Sequence, residues 1–373
     1  MGEVSVSDSP LTGEIPQVGL ADESAFVTCA LSADGAAIKA LRNGCIYSIE
    51  CGDIQVNQIL ASPLAGGIQR IYLRIRKKNG FSFTEIVGPR AVSEFVFARD
   101  GFIWSGSWHG LHYRCTCWLP PTGNVWFFRV EVENRSDKPV NCDAVMVQDI
   151  GLAARGQVRN NENYTSQYLD HHAAPHPELG YLLMTRQNLP QPGGTYPWLL
   201  QGCFPKTAGF TTDGFDFFGV EYKATGAPAA LSMSTIGRTV RQYELGCTAL
   251  QSINAEIQPS DAFTFTFFSN FVADHPAPSS ALDIDDAKLR NLRATAGKMP
   301  SAAFDLETIS TSKPARSVFQ TADLYEAEEF DGSDIRTYFP GPLRHEEFDG
   351  PKRLSFFCDP DSRHVVLKAK EIA

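Results

Sequence analysis

GFIWSGSWHGLHYRCTCWLPPTGNVWFFRVEVENRSDKPVNCDAVMVQDI, residues 101–150, decides the fold. Pro120, Pro121, Thr122, Gly123 and Asn124 interrupt it once, and Asn134, Arg135, Ser136, Asp137, Lys138 and Pro139 interrupt it again. Between the breaks the side chains alternate. In the run that begins at Val125, Trp126, Phe128, Val130 and Val132 fall on one side while Phe127, Arg129, Glu131 and Glu133 fall on the other, because successive side chains of an extended chain point to opposite faces. His112, Arg114, Thr116 and Trp118 interleave in the same way with Leu111, Tyr113, Cys115 and Cys117, and a third run goes from Val140 to Ile150. The stretch reads as an antiparallel meander, rich in the aromatic and β-branched residues that suit a pleated, half-buried surface.

The pattern continues in both directions. Upstream lie Ser24 to Leu31, Ile38 to Glu50 around the tight-turn pair Asn43-Gly44, and Ile68 to Arg76. The last of these turns at Lys77, Lys78, Asn79 and Gly80 into Phe81 to Val87, and Ser93 to Arg99 then leads to the meander. Downstream, extended runs are expected at Leu179 to Thr185, Trp198 to Phe204, Phe215 to Tyr222, Ala229 to Ile236, Tyr243 to Ile257 and Phe263 to Phe271. So many short strands, punctuated by 30 Gly and 23 Pro in 373 residues, predict a mainly β fold of two large packed antiparallel sheets. One helix stands out between Leu282 and Met299, with Asp283 as its cap, Asp285 and Asp286 in its first turn, Leu289 and Leu292 three apart, and Gly297 at its end. After Ala302 the pattern weakens into an irregular tail with an acidic run at Glu326 to Asp331 and short extended pieces, LSFFCD (354–359) and HVVLKAKEI (364–372). The chain therefore divides into a β domain over 1–275 and a helix with linker and tail over 276–373.

A net charge of −10 argues against nucleic acid or an anionic membrane surface as partner and favours a neutral ligand. Nine cysteines stand without a CxxC pair, and Cys115 and Cys117 share one strand face, too extended for an easy disulfide; they read as reduced core thiols. Residues 1–20 hold no apolar signal segment and no run that spans a bilayer, so a cytoplasmic protein is expected.

From Arg155 to Pro177 the chain reads RGQVRNNENYTSQYLDHHAAPHP, with no period of two or 3.6. A loop of this length inside a compact domain is usually functional. Asn160, Asn161, Glu162, Gln167 and Asp170 offer the planar donors and acceptors that recognise sugar hydroxyls, and Tyr164 and Tyr168 offer stacking faces for pyranose rings. The competing reading is that these groups satisfy the loop's own backbone. His172 and His176 have the spacing of helical metal ligands, but Pro175 and Pro177 oppose a helix and no carboxylate follows in the H-E-x-x-H manner, so no metal is assigned. Trp104, Trp108, Trp118, Trp126 and Trp198 read as sheet-packing residues rather than sugar platforms, and Asp213 with Asp216 reads as a turn. No G-x-S-x-G elbow, P-loop or G-x-G-x-x-G is present to support a hydrolase or nucleotide enzyme.

Four segments, GFIWSG (101–106), FRVEVEN (128–134), VRNNENYTSQYLDHH (158–172) and DPDSRHVVLKAKE (359–371), resemble the N-terminal part of the 1,2-β-oligoglucan phosphorylases, relatives of cellobiose phosphorylase and of the phosphorylase-like region of cyclic β-1,2-glucan synthases. The third is the most specific. The resemblance implies a galactose-mutarotase-like β-supersandwich, a helical linker, an (α/α)6 catalytic barrel and a small C-terminal sheet region. It also implies an Asp of the barrel as general acid, inorganic phosphate as co-substrate and no cofactor. Only the first part has sequence behind it here, so no catalytic residue is carried over. The expectation is a fragment or split-gene product, inactive alone, that joins a catalytic barrel in cis or as a separate chain, contacts β-1,2-glucan oligosaccharides and contributes a homodimer surface. The alternatives are a stand-alone carbohydrate-binding or protein-interaction module, and a sheet enzyme acting on sugars in its own right.

Overall fold

In the computed structural model, which describes residues 26–41, 44–58, 69–78, 80–98, 101–242, 245–300, 335, 339, 341–358 and 363–366, the strands of the opening stretch form, but the third leaves the expected meander: Val140–Asp149 pairs with Gln69–Lys77 and Gly246–Ser252 and not with Val125–Asn134. Gly101–Trp108, Leu111–Trp118 and Val125–Asn134 are successive antiparallel strands, with Phe128 opposite Cys117 on one side and Phe267 on the other. Trp126, Phe128, Val130 and Val132 are all buried in one core. The first hairpin closes on His109 and Gly110, both at positive φ (50° and 81°), which is the backbone twist that two-residue hairpin loops demand. A Cβ at Gly110 would also lie 2.9 Å from that of Ser136.

The meander ends one path through a 15-stranded sheet. From the far edge the order is Gly80–Val87, Gln69–Lys77, Val140–Asp149, Gly246–Ser252, Thr207–Asp213, Gly180–Gln187, Trp198–Phe204, Ala262–Val272, Val125–Asn134, Leu111–Trp118, Gly101–Trp108 and Glu94–Ala98. The two edge strands of this path, Gly80–Val87 and Glu94–Ala98, are consecutive in the chain and joined only by residues 88–93. So short a connection cannot cross a flat sheet of that width, so the sheet curls until its edges approach. Ser93 fastens the join, its hydroxyl donating to the Ile86 carbonyl at 2.7 Å. Ile86 and Val87 then share a core with Phe95, Phe97 and Trp104. The sandwich thus arises chiefly from one continuous sheet folded on itself. A second sheet of five short strands, from Phe26–Leu31 through Ile54–Gln55 to Ala153–Ala154, contributes Ile38, Ala40, Ile46 and Ile49 to the same interior.

The outer face is covered in two places. Helix Asp286–Gly297 lays Leu289, Leu292 and Ala296 against Phe127, Trp118, Trp198 and Leu200. Its cap is Asp285, whose carboxylate accepts from the amides of Ala287 (2.8 Å) and Lys288 (3.2 Å); Asp283 instead completes the capping box of the preceding short 3-10 turn, Ala281–Asp283. The second cover is 214–232, where strands were expected and helical turns are found: Gly214–Phe218, Tyr222–Thr225 and the 3-10 turn Ala229–Ser232. The alternation of 215–222 is misleading. Asp213 accepts from the Asp216 amide at 2.8 Å and starts a helix, and Phe217 and Phe218 from this helix and Tyr222 from the next pack on Tyr72, Val145 and Val147. Arg74 ties this cover to the sheet. Its guanidinium pairs with both carboxylate oxygens of Asp143 (2.7 and 2.6 Å) and donates to the carbonyls of Leu231 and Met233 (3.2 and 2.8 Å).

The chain divides into two compact units, Met1–Phe319 and Gln320–Ala373. In the second, Leu343–Asp349, Lys352–Cys358 and Arg363–Val366 form a three-stranded antiparallel sheet around Phe356, Cys358 and Ile335. The acidic run 326–331 and the end of HVVLKAKEI beyond 366 lie outside the described residues.

Candidate functional site

The segment 155–177 is ordered, which corrects the expectation of an irregular loop. Arg155–Asn160 and Glu162–Ser166 are single-turn helices, and Leu169–His176 is a strand paired along its length with Gly180–Gln187. Pro175 is tolerated because this strand is an edge, where one side of the backbone has no ladder to serve. At His171 that open side is taken by a side chain. The Gln242 amide accepts from the His171 N–H (2.7 Å) and donates to its carbonyl (2.6 Å), imitating a neighbouring strand. The turn that precedes it is held from inside by Gln187, whose Nε2 donates to the carbonyls of Gly151 and Thr165, each at 3.1 Å.

On this frame the sequence candidates separate. Tyr164 and Tyr168 come together: the Tyr168 hydroxyl donates to that of Tyr164 at 2.7 Å, and the rings meet edge to face with centroids 5.0 Å apart. Tyr164 is 47% exposed, a large apolar face left in solvent. The shared hydroxyl bond raises the Tyr168 pKa above the usual phenol value. Asn161 is spent locally, its side-chain oxygen accepting from the Tyr164 amide at 3.2 Å and so starting the second turn. Asn160, before the aromatic pair in the chain, and Gln167, between its two members, are exposed. Glu162 lies in the backbone of the second turn. Asp170 stands apart from the tyrosines in role, its carboxylate accepting from Gln242 Nε2 at 3.1 Å. Gln242 and Gln187, which set the geometry, were missed by the sequence reading, because their partners lie far away in the chain.

The three histidines do not form one centre. His171 is buried, its Nδ1 2.9 Å from the Thr185 hydroxyl, and burial pushes its pKa down from 6.5 to about 4, so the ring is neutral. His176 lies 3.1 Å from Asp286 and accepts from the amide of Leu179. Among the described residues no group of three or more His, Cys, Asp and Glu gathers to hold a metal ion. Trp104, Trp118, Trp126 and Trp198 are buried in the packing, and Asp216 pairs with Arg241 at 2.7 Å beside the Asp213 cap. The described cysteines are free thiols, and seven of the eight are buried.

The chain belongs to the family of SOGP N-terminal domains, whose model it matches over residues 39–269. It is 29% identical over 319 residues to the 1,2-beta-oligoglucan phosphorylase of Listeria innocua serovar 6a (strain ATCC BAA-680 / CLIP 11262), a match that takes in 86% of this chain and 27% of that protein. The chain thus spans about a quarter of the length of that curated relative. Among solved structures it is similar to a bacterial glucoamylase complexed with acarbose (TM-score 0.40, 10% identity, covering 73% of this chain and 36% of that one). It is also similar to a galactose mutarotase related enzyme from Lactobacillus acidophilus (TM-score 0.38, 9% identity, covering 68% and 100%). No helix among the described residues is long and apolar enough to cross a membrane.

Proposed function

We propose that this chain supplies the β-sandwich part of a glycoside phosphorylase that acts on β-1,2-glucooligosaccharides. The observation that carries the reading is the family match over 39–269 together with the identity to a 1,2-beta-oligoglucan phosphorylase along most of the chain. In the reaction a phosphate oxygen bonds to the anomeric carbon as the glycosidic C–O bond breaks. A carboxylic acid gives its proton to the departing oxygen, and glucose 1-phosphate of inverted configuration is released. Phosphate is already anionic and needs no base carboxylate. The acid belongs to an (α/α)6 barrel, joined in the same polypeptide or supplied by another. The helix and following residues from 276 lead toward it. The free thiols fit a reducing compartment, the cytoplasm.

Within that assembly the turn 155–168 and the start of the edge strand border the glucan. Tyr164 and Tyr168 present ring faces, while Asn160, Asn161, Glu162, Gln167 and Asp170 belong to the polar surround. Purified chain mixed with β-1,2-glucooligosaccharide and phosphate is expected to release no glucose 1-phosphate, and addition of a barrel-bearing polypeptide is expected to start release. Unaided turnover would refute the reading. The aromatic pair, with its Tyr164 ring exposed, favours a second one, a carbohydrate-binding module that acts alone, and direct titration of the chain with glucan tests it. Binding that persists without any barrel supports the module, with Tyr164→Ala and Tyr168→Ala each weakening it about tenfold.

A further inference from the structure

On the outer face of the sheet a cleft of about 170 Å³ opens between the Gln69–Lys77/Gly80–Val87 hairpin and residues 234–238. Arg76, Phe81, Ser234, Thr235, Arg238 and Asn254 form its walls. At its floor lie Asp143 and Gln251, both buried. The floor carboxylate is already satisfied: Arg74 takes both oxygens, and Gln251 Nε2 donates to one of them at 3.0 Å. The wall cations are not. Among the described residues neither Arg76 nor Arg238 has a carboxylate partner; Arg76 leans on the Phe81 ring, and Arg238 lies over the Tyr181 ring, 5.1 Å from its centroid, and donates its Nε to the Ala208 carbonyl at 3.3 Å. Both guanidinium groups are exposed to solvent without a counter-ion, in a chain whose net charge is −10.

The wall is fixed. Ile236 donates its amide to Gln251 Oε1 at 3.0 Å, and Phe210 donates to the Gly237 carbonyl at 3.0 Å. Gly209 lets this segment lie close, since a Cβ there would come within 2.6 Å of the Thr235 hydroxyl and 3.0 Å of Gln251 Oε1. We propose that this cleft is a binding site for a tetrahedral oxyanion of the phosphate type, gripped by the Arg76 and Arg238 guanidinium groups with the Ser234 hydroxyl as a neutral donor. Planar guanidinium forks match such oxygens in pairs. The volume is well below that of pockets that enclose drug-sized ligands, so one anionic group fits and an oligosaccharide does not.

The anion is either free phosphate or the phosphoryl group of a sugar phosphate, and two titrations of the intact chain at fixed ionic strength separate them: one with inorganic phosphate, one with glucose 1-phosphate. Saturable binding of either is expected, weakened about tenfold by Arg76→Gln and again by Arg238→Gln, with Arg76→Lys falling between because it keeps charge and loses the fork. Phosphate binding points to the free anion, and binding of glucose 1-phosphate alone points to the sugar ester. Tryptophan fluorescence checks that each variant is folded. Absence of saturable binding by both probes, or binding that neither arginine variant changes, would overturn the proposal. No glucan is present in the experiment, so its failure leaves the glucan reading standing.

Discussion

Replacing Arg74 tests whether the outer cover of the sandwich is held by one buried cation. Arg74 is wholly buried and Asp143 is 2% exposed. The guanidinium makes two bonds to the carboxylate and two to the carbonyls of Leu231 and Met233, and it stacks 4.6 Å from the centroid of Phe81. Arg74→Met keeps most of the apolar stem and deletes every donor. Asp143 is then left as a buried carboxylate still accepting from Gln251, a change of the kind that costs about 3–5 kcal/mol, and the two carbonyls lose their donors as well. A loss of about 4 kcal/mol is expected. All five tryptophans of the chain lie between residues 104 and 198, so urea unfolding followed by tryptophan fluorescence reports on the sandwich alone, and the midpoint gives the change if the slope is constant. The double replacement Arg74→Met/Asp143→Leu removes the stranded charge together with its partner and is expected to recover at least half of the loss, since buried pairs are replaceable by well-packed apolar residues. A single variant that loses less than about 1 kcal/mol, or a double variant no more stable than the single one, refutes the reasoning.

Gln242→Ala removes the amide that caps the open side of the edge strand. A loss of about 2 kcal/mol is expected, with faster hydrogen exchange at the His171 amide, whose donor bond runs to Gln242. His171 gives a pH dependence. Its pKa falls from 6.5 to about 4 on folding, so the unfolded chain binds a proton that the folded chain refuses between those values. Its contribution is fully present above pH 6.5 and is lost as pH falls toward 4, by about 1.4 kcal/mol per unit at most. The difference in urea midpoint between wild type and His171→Gln, which keeps a partner for Thr185, is expected to shrink over that window. Asp285→Ala strips the cap from helix Asp286–Gly297 and is expected to cost about 1 kcal/mol in the same assay.

The fold was legible where burial is one-sided and local. Trp126, Phe128, Val130 and Val132 enter the core on the period that their order announces, and the strands from 101 to 149 fall within a residue or so of their turn signals. Two kinds of information were not local. In 215–222 the order FDFFGVEY alternates like a strand, but Asp213 caps a helix and Tyr72, Val145 and Val147 receive its aromatic face; tertiary cover outweighed pattern. In 169–176 the polar composition and Pro175 hid a strand, because an edge strand needs only one satisfied side and its partners come from Gly180–Gln187 and from Gln242. The closure of the large sheet by residues 88–93 is likewise a property of two edges that meet in space, invisible in either edge strand alone.

The candidate segment shows how the same reasoning bears on recognition. As residue types, Asn161 and Asp170 looked equal to Tyr164 and Tyr168, yet the structure commits Asn161 to the Tyr164 amide and Asp170 to Gln242. Those bonds leave the Tyr164 ring exposed and Tyr168 half-buried beside it, and they also hold the pair in place: Asn161 sets the turn that carries Tyr164, the hydroxyls lock the two rings to one another, and Gln187 pins the Thr165 carbonyl between them in the chain. Side chains fixed before a ligand arrives spare the entropy of ordering on contact, which is how a small platform gains affinity. Tyr168→Phe isolates that contribution. It keeps the ring and removes only the hydroxyl that donates to Tyr164, so a few-fold weakening of glucan binding by Tyr168→Phe, against about tenfold by Tyr168→Ala, separates preorganisation from the stacking face itself. Equal losses for the two variants would instead make the hydroxyl, and not the ring, the group that meets the sugar.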